Sequence, residues 1–181
     1  YPTGSEWLGY QKADSSSLAI CRMLLENQCD FDFVDDYAIL HVLTPFNQGL
    51  LNRSGQAYQV ILIPEVKAME RAVLDQLKTF ASGGIKVVFT GQYPSLIVDR
   101  TYRDAGSRYD FKGFLQSSGN QFISYSGESD FRLDKPFPAV KYNHRKFRGG
   151  DLWFVFNEGE TAVDAIATLP GTGKLSLWDG T

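Results

Sequence analysis

Between residues 58 and 91 the hydrophobic pattern changes period twice, and the change predicts a βαβ unit. Val60 to Ile63 is an unbroken β-branched and apolar run stopped by Pro64. Such a run suits a strand buried on both faces of a parallel sheet. Beyond it Val66, Met69, Val73, Leu77 and Phe80 recur at steps of three and four, with Leu74 beside them. That spacing lays one apolar stripe along a helix. Glu65 and Glu70 fall near its start, where the helix dipole favours negative charge. Gly83 and Gly84 end it, because glycine accepts the left-handed conformation that closes helices. Residues 85–89 form a second apolar run, so the two strands are expected to be parallel with a right-handed crossover.

Upstream, Asp14 and Ser15 to Ser17 are N-cap candidates for a helix whose face carries Leu18, Cys21, Leu24 and Leu25 and which ends near Asn27. In CDFDFVDD, Phe31 and Phe33 alternate with Asp30 and Asp32 as on a strand, and Asp35 and Asp36 read as an acidic helix or turn start. Leu40, Val42 and Leu43 fit a short helix or strand, and NQGLLNRSGQ reads as a turn and hairpin-like excursion. Downstream, Pro94 is placed to open a short helix carrying Leu96, Ile97 and Val98. Phe111, Phe114 and Leu115 suggest another, stopping at Gly119. From about Phe122 short runs alternate with turn signals. Arg148-Gly149-Gly150-Asp151 and the stretch from Pro170 to Gly173 predict hairpins in an antiparallel region.

Composition narrows the class. The chain has 181 residues, 43% of them hydrophobic, and a net charge of −3. That is enough chain for one α/β domain and a small appendage, and the balance lacks the basic excess of a nucleic-acid binder. Apolar runs are strand-sized, so no membrane span is expected, and no signal-peptide pattern is present. The opening at Tyr1 suggests a piece of a longer protein. Cys21 and Cys29 lie eight residues apart. A helix would separate them by about 12 Å, too far for a disulfide.

Candidate chemistry is sparse. Ligands of α/β sheets bind at the carboxyl ends of the strands. The tips here read Pro64-Glu65 and Thr90-Gly91-Gln92-Tyr93-Pro94. A nucleophile elbow needs Ser or Cys on the sharp turn, where Gln92 and Tyr93 stand, and Ser95 falls beyond it. Glu65 is a lone acid or a helix opener. His41 and His144 have no zinc-binding spacing, and the acidic stretch at residues 30–36 lacks the glycine and distal Glu of a calcium loop. No metal or cofactor is expected. Gly171 to Lys174 resembles the end of a phosphate-binding loop, but Thr168 stands where its first glycine belongs and Leu175 follows the lysine. Lys141, His144, Arg145, Lys146 and Arg148 form a basic cluster, read either as a phosphate or acidic-sugar contact or as a solvated strand face. Trp7, Tyr93, Trp153, Tyr142 and Trp178 are candidates to stack on sugar rings, or else core aromatics.

Several stretches together resemble one family. YPTGSEW, LLENQCDFDFVDD, YQVILIPEVKAMERAVLDQLKTFASGGIKVVFTGQYPS and NHRKFRGGDLWFVFNEGE through LSLWDG follow in the order seen in bacterial glycoside hydrolases similar to the family 106 α-L-rhamnosidases, and more distantly to family 42 β-galactosidases. His144 to Glu158 carries the most specific part. The resemblance implies an α/β fold, a flavodoxin-like (class I glutamine-amidotransferase-like) parallel sheet with flanking helices over residues 1–125. An antiparallel segment at the edge of a β-sandwich follows over residues 126–181. It also implies that the catalytic carboxylates lie in a barrel outside this chain, and that Gly91-Gln92-Tyr93 occupies the place of the amidotransferase cysteine. The expected role is a non-catalytic structural or interaction domain of a larger hydrolase acting outside the cytoplasm. Its partner is that barrel, and a homo-oligomer is a further possibility. The alternatives are a carbohydrate-binding module and a stand-alone hydrolase or amidotransferase. Trp7, Glu65, Gln92, Tyr93, His144, Arg145 and Trp153 are the candidate ligand or interface residues.

Overall fold

The computed structural model describes residues 9–101, 103, 106, 108–117, 130–135, 137–171 and 173–178, with Lys146 described in its backbone alone. The chain divides into two compact units, residues 1–24 with 31–127 and residues 25–30 with 128–181.

In the first unit, helix α1 (Lys12–Glu26) buries Ala13, Ile20, Met23 and Leu24. The expected face is rotated, since Leu18 is 62% exposed and Leu25 41%. The strand predicted at Phe31 and Phe33 does not form. Those rings meet edge to face at 5.6 Å in an irregular segment, and Asp35 caps the next helix by accepting from the Ala38 N–H. That helix, α2 (Asp36–His41), buries Ile39. A meander of β1 (Thr44–Phe46), β2 (Gly49–Leu51) and β3 (Ala57–Tyr58) follows. Its first turn places Asn47 and Gln48 at φ 46° and 63°. Two positive φ values in a two-residue loop match the twist of the flanking strands.

The predicted βαβ unit is present in altered form. Strand β4 (Val60–Ile63) leads to a short strand β5 (Ala68–Glu70), and only then does helix α3 (Arg71–Ser82) begin. Val66 and Met69 therefore precede the helix, although Val66 is buried and Met69 packs on the same core. Gly84, at φ 88°, supplies the left-handed residue after α3. Strand β6 (Lys86–Phe89) pairs parallel to β4, with Ile61 opposite Val87 and Ile63 opposite Phe89. Residues 96–98, expected to be helical, form strand β7 (Leu96–Val98), parallel to β5. Residues 111–115 also form no helix. Strand β8 (Leu115–Gln116) extends the parallel sheet to the order β4-β6-β8. Phe111 and Phe114 instead surround Phe89, with ring centroids 6.0 and 5.2 Å away. Val73, Leu74, Leu77 and Phe80 of α3 are fully buried against the residues of this sheet and of α2.

The second unit is antiparallel. Strand β9 (Arg132–Leu133) pairs with β12 (Ala167–Thr168), and β10 (Val140–Phe147) pairs with β11 (Gly150–Asn157) as a hairpin turning at Arg148-Gly149. The hairpin expected at residues 170–173 is replaced by the β9–β12 pairing, and residues 174–178 form no strand. Phe131 and Val140 are buried, with Phe131 stacked on Tyr142 at 4.9 Å. Gln28, 6% exposed, points its amide nitrogen at the carbonyls of Glu26, Phe137 and Val140. Those contacts explain why residues 25–30 count with this unit.

Candidate functional site

The carboxyl edge of the β4-β6-β8 sheet is where chemistry is expected, and its own side chains occupy it. Glu65, directly after β4, accepts from the Tyr10 phenol at 2.7 Å and pairs with Lys12 at 3.6 Å. Its backbone N–H donates to Ser16 Oγ at 2.8 Å. Thus the start of α1 is fastened over the tip of β4. The hydrogen bond to Glu65, with burial, raises the Tyr10 phenol above the usual tyrosine range. At the neighbouring tip the Thr90 hydroxyl and N–H both donate to the Ile63 carbonyl. Gly91 lies so close to Glu65 that an added Cβ would stand 2.9 Å from its Cβ and Oε2. Gln116 donates to the Gly91 carbonyl at 2.8 Å, joining the tip of β8 to that of β6. Ser117 Oγ is buried there without a hydrogen-bond partner.

The candidates separate on this geometry. Glu65 is half-buried in the network above. Gln92 is exposed. Tyr93 is turned into the core, stacked on Phe111 at 4.3 Å and edge-on to Phe89 at 5.0 Å, and burial raises its phenol. Trp7 lies outside the described residues. Ser95 is exposed, its N–H donating to the Lys67 carbonyl. His41 is exposed beside the Tyr37 ring.

A second cluster lies on one face of the β10–β11 hairpin. The His144 side chain is 6% exposed, with Nδ1 on an Asp130 carboxylate oxygen and Nε2 2.8 Å from Asp151 Oδ1. Trp153, directly opposite in register, stacks on it at 4.4 Å and donates its indole N–H to the Asp130 carbonyl at 3.0 Å. Tyr142 donates to the other Asp130 oxygen at 2.6 Å. The carboxylates flank the ring on its two nitrogen sides instead of converging on a common point. Among the described residues no group of three or more His, Cys, Asp and Glu could hold a metal ion. Trp153 packs on the buried His144 ring and Tyr142 shares the Asp130 carboxylate with it, while Arg145 is exposed and Trp178 is 88% exposed.

An open groove of about 530 Å³, which sequence reasoning missed, is lined by Arg71, Asp75, Lys78, Arg108, Tyr109 and Asp110. Lys78 holds Asp110 at 2.9 Å, and Arg71 pairs with Asp99. Those cations keep both carboxyls below the usual range. Tyr109 donates to Asp75 at 2.8 Å, and burial followed by that bond pushes its phenol well up. Arg71, Asp75, Lys78 and Asp110 of the groove are thus each engaged by a partner. Tyr10, Lys12 and Ser16 reach Glu65 only through long-range packing, and although helical spacing puts Arg71, Asp75 and Lys78 on one face of α3, their meeting with residues 108–110 is long-range too. The His144–Trp153 pair was not legible either, because a loop over Arg148-Gly149-Gly150-Asp151 would set His144 opposite Val155, whereas the turn closes on Arg148-Gly149.

Among the described residues no helix is long and apolar enough to cross a membrane. No curated protein matches the chain at a significant level. The rhamnosidase from Novosphingobium sp. PP1Y is similar in structure, with a TM-score of 0.52 and 19% identity over 72% of this chain. The chain spans 14% of the length of that protein. The sequence profile of glycoside hydrolase family 106, described as alpha-L-rhamnosidase, matches residues 13–181, and the chain belongs to that family.

Proposed function

We propose that this chain is a structural or interaction domain of a larger α-L-rhamnosidase-like hydrolase, and that the catalytic carboxylates lie elsewhere in that protein. The observation that carries the reading is the carboxyl edge of the parallel sheet. Glu65 is engaged by Tyr10 and Lys12, and Tyr93 is packed into the core. The tip of β6 offers Gly91 and the exposed Gln92 where a flavodoxin-like or amidotransferase-like enzyme would carry its nucleophile. Such a domain serves by packing against a catalytic barrel or by mediating oligomerisation, in a protein acting on glycans outside the cytoplasm. Membership in a glycoside hydrolase family supports the carbohydrate context, and the small share of the similar rhamnosidase that the chain spans supports a larger parent.

The test is hydrolysis of chromogenic α-L-rhamnosides by the 181-residue chain and by a longer polypeptide that contains it. Turnover by the longer polypeptide alone is the expected result. Turnover by the chain itself would overturn the reading and return attention to Glu65 and Ser95.

A further inference from the structure

The two faces of the β10–β11 hairpin differ in how many large apolar side chains they expose and in charge. Residues opposed in register share a face. One face carries His144, its side chain 6% exposed, with the half-buried Trp153 and Tyr142 and with Val155, which is 45% exposed. The other carries Phe147, Leu152, Phe154 and Phe156, which are 61%, 53%, 63% and 39% exposed. Directly across from the last three stand the exposed Arg145 and the half-buried Asn143 and Lys141, the last donating one ammonium proton to the Pro138 carbonyl. An apolar row therefore runs beside a row of hydrogen-bond donors. The Phe154 and Phe156 rings lie 5.6 Å apart, tilted by 36°. This face holds two cations and no carboxylate, because Asp151 is on the His144 side, whereas the whole chain carries −3.

We propose that this face binds an extended acidic polysaccharide, with sugar C–H faces on the phenylalanines and uronate carboxylates on Lys141 and Arg145. Charge complementarity excludes a second copy seated face to face, which would bring like charges together. Size argues against a folded protein. The strip is roughly 26 Å long and two strands about 4.8 Å apart in width. That falls far short of the about 800 Å² per partner of a standard protein interface. A linear polymer needs only such a strip. The inference rests on the carbohydrate reading above for its class of ligand.

The test is affinity electrophoresis of the 181-residue chain through gels containing polygalacturonate, with its methyl-esterified form and poly-glutamate as comparison polymers. Retardation by polygalacturonate alone is expected. It should weaken by about tenfold or more in F154A/F156A, as stacked rings are lost, and similarly in R145Q. Lys86, exposed on β6 in the other unit, serves as the control, and K86Q should bind as the parent chain does. Equal retardation by poly-glutamate, or insensitivity to F154A/F156A, would reduce the effect to general charge attraction and overturn the proposal. A dimer in sedimentation that F154A/F156A dissociates would assign the face to self-association instead. Retardation that disappears in a longer polypeptide would mean that other parts of the protein cover the face, which also overturns it. Rhamnoside turnover by the longer polypeptide is read separately, so failure of the parent activity and failure of this binding are distinguishable.

Discussion

At the scale of single residues, close approach and burial decide more than charge. Gly91 is required by contact and not by backbone conformation, since its φ is not among the positive values. A methyl group there would meet Glu65 at its Cβ, which cannot swing away as a side-chain end could. Gly91→Ala should therefore push Glu65 off Tyr10 and cost about 1–3 kcal/mol, the range for overpacking. Urea unfolding should show a lower midpoint, and an unchanged midpoint would mean that the tip of β6 has room. Tyr109 makes a different prediction. Its folded-state ionisation is raised, first by burial and then by Asp75, so its contribution to stability is complete below the unfolded tyrosine value of about 10. Above that pH the unfolded chain ionises while the folded one does not, and stability falls. The stability difference between the parent chain and Tyr109→Phe should shrink as pH rises past about 10. A pH-independent difference in denaturant midpoints would refute the assignment.

At the scale of elements, α3 and β6 were legible because their apolar positions follow a local rule. Leu77 sits at the centre of the predicted stripe and is fully buried. Leu77→Ala should cost about 2–5 kcal/mol, read by thermal or denaturant unfolding, and a smaller loss would mean that the core collapses into the gap. The failures share one cause. Ala68–Glu70 and Leu96–Val98 are strands because they pair with each other, nearly thirty residues apart, and nothing in either segment encodes that partner. Val66 and Met69 extended the helical stripe by coincidence of spacing, because the same core lies beneath strand and helix. Phe111, Phe114 and Leu115 match a helical step, but the first two converge as rings on Phe89 with Gly113 at φ 99° between them, and Leu115 pairs with Val88 as a strand. In the site, Glu65 and Gln92 were placed correctly at strand tips, because those tips follow from the strands. Their surroundings were not, because Tyr10 precedes α1 and Ser16 lies within it, about fifty residues away in sequence.

At the scale of the whole molecule, the two units have unequal cores. The first gathers Ile61, Ile63, Val73, Leu74, Leu77, Phe80, Val87 and Phe89 into one continuous cluster around a parallel sheet. In the second, the buried apolar side chains among the described residues of 128–181 are Phe131 and Val140, and its longest sheet is a two-stranded hairpin. Two strands alone are marginal in water, and local opening is easiest where few apolar side chains are buried. Native-state hydrogen exchange should therefore rank the amides by unit. Those of β6 and the middle of α3 should exchange slowest, and those of β10 and β11 markedly faster despite their complete ladder of pairing. The aromatic face of the hairpin provides the complementary readout. If a ligand or the rest of a longer polypeptide covers Phe154 and Phe156, protection should rise in β10 and β11 while β6 stays unchanged. Hairpin amides already as slow as those of β6 in the chain alone would show that hydrogen bonding and the His144–Trp153 packing suffice to hold the second unit closed.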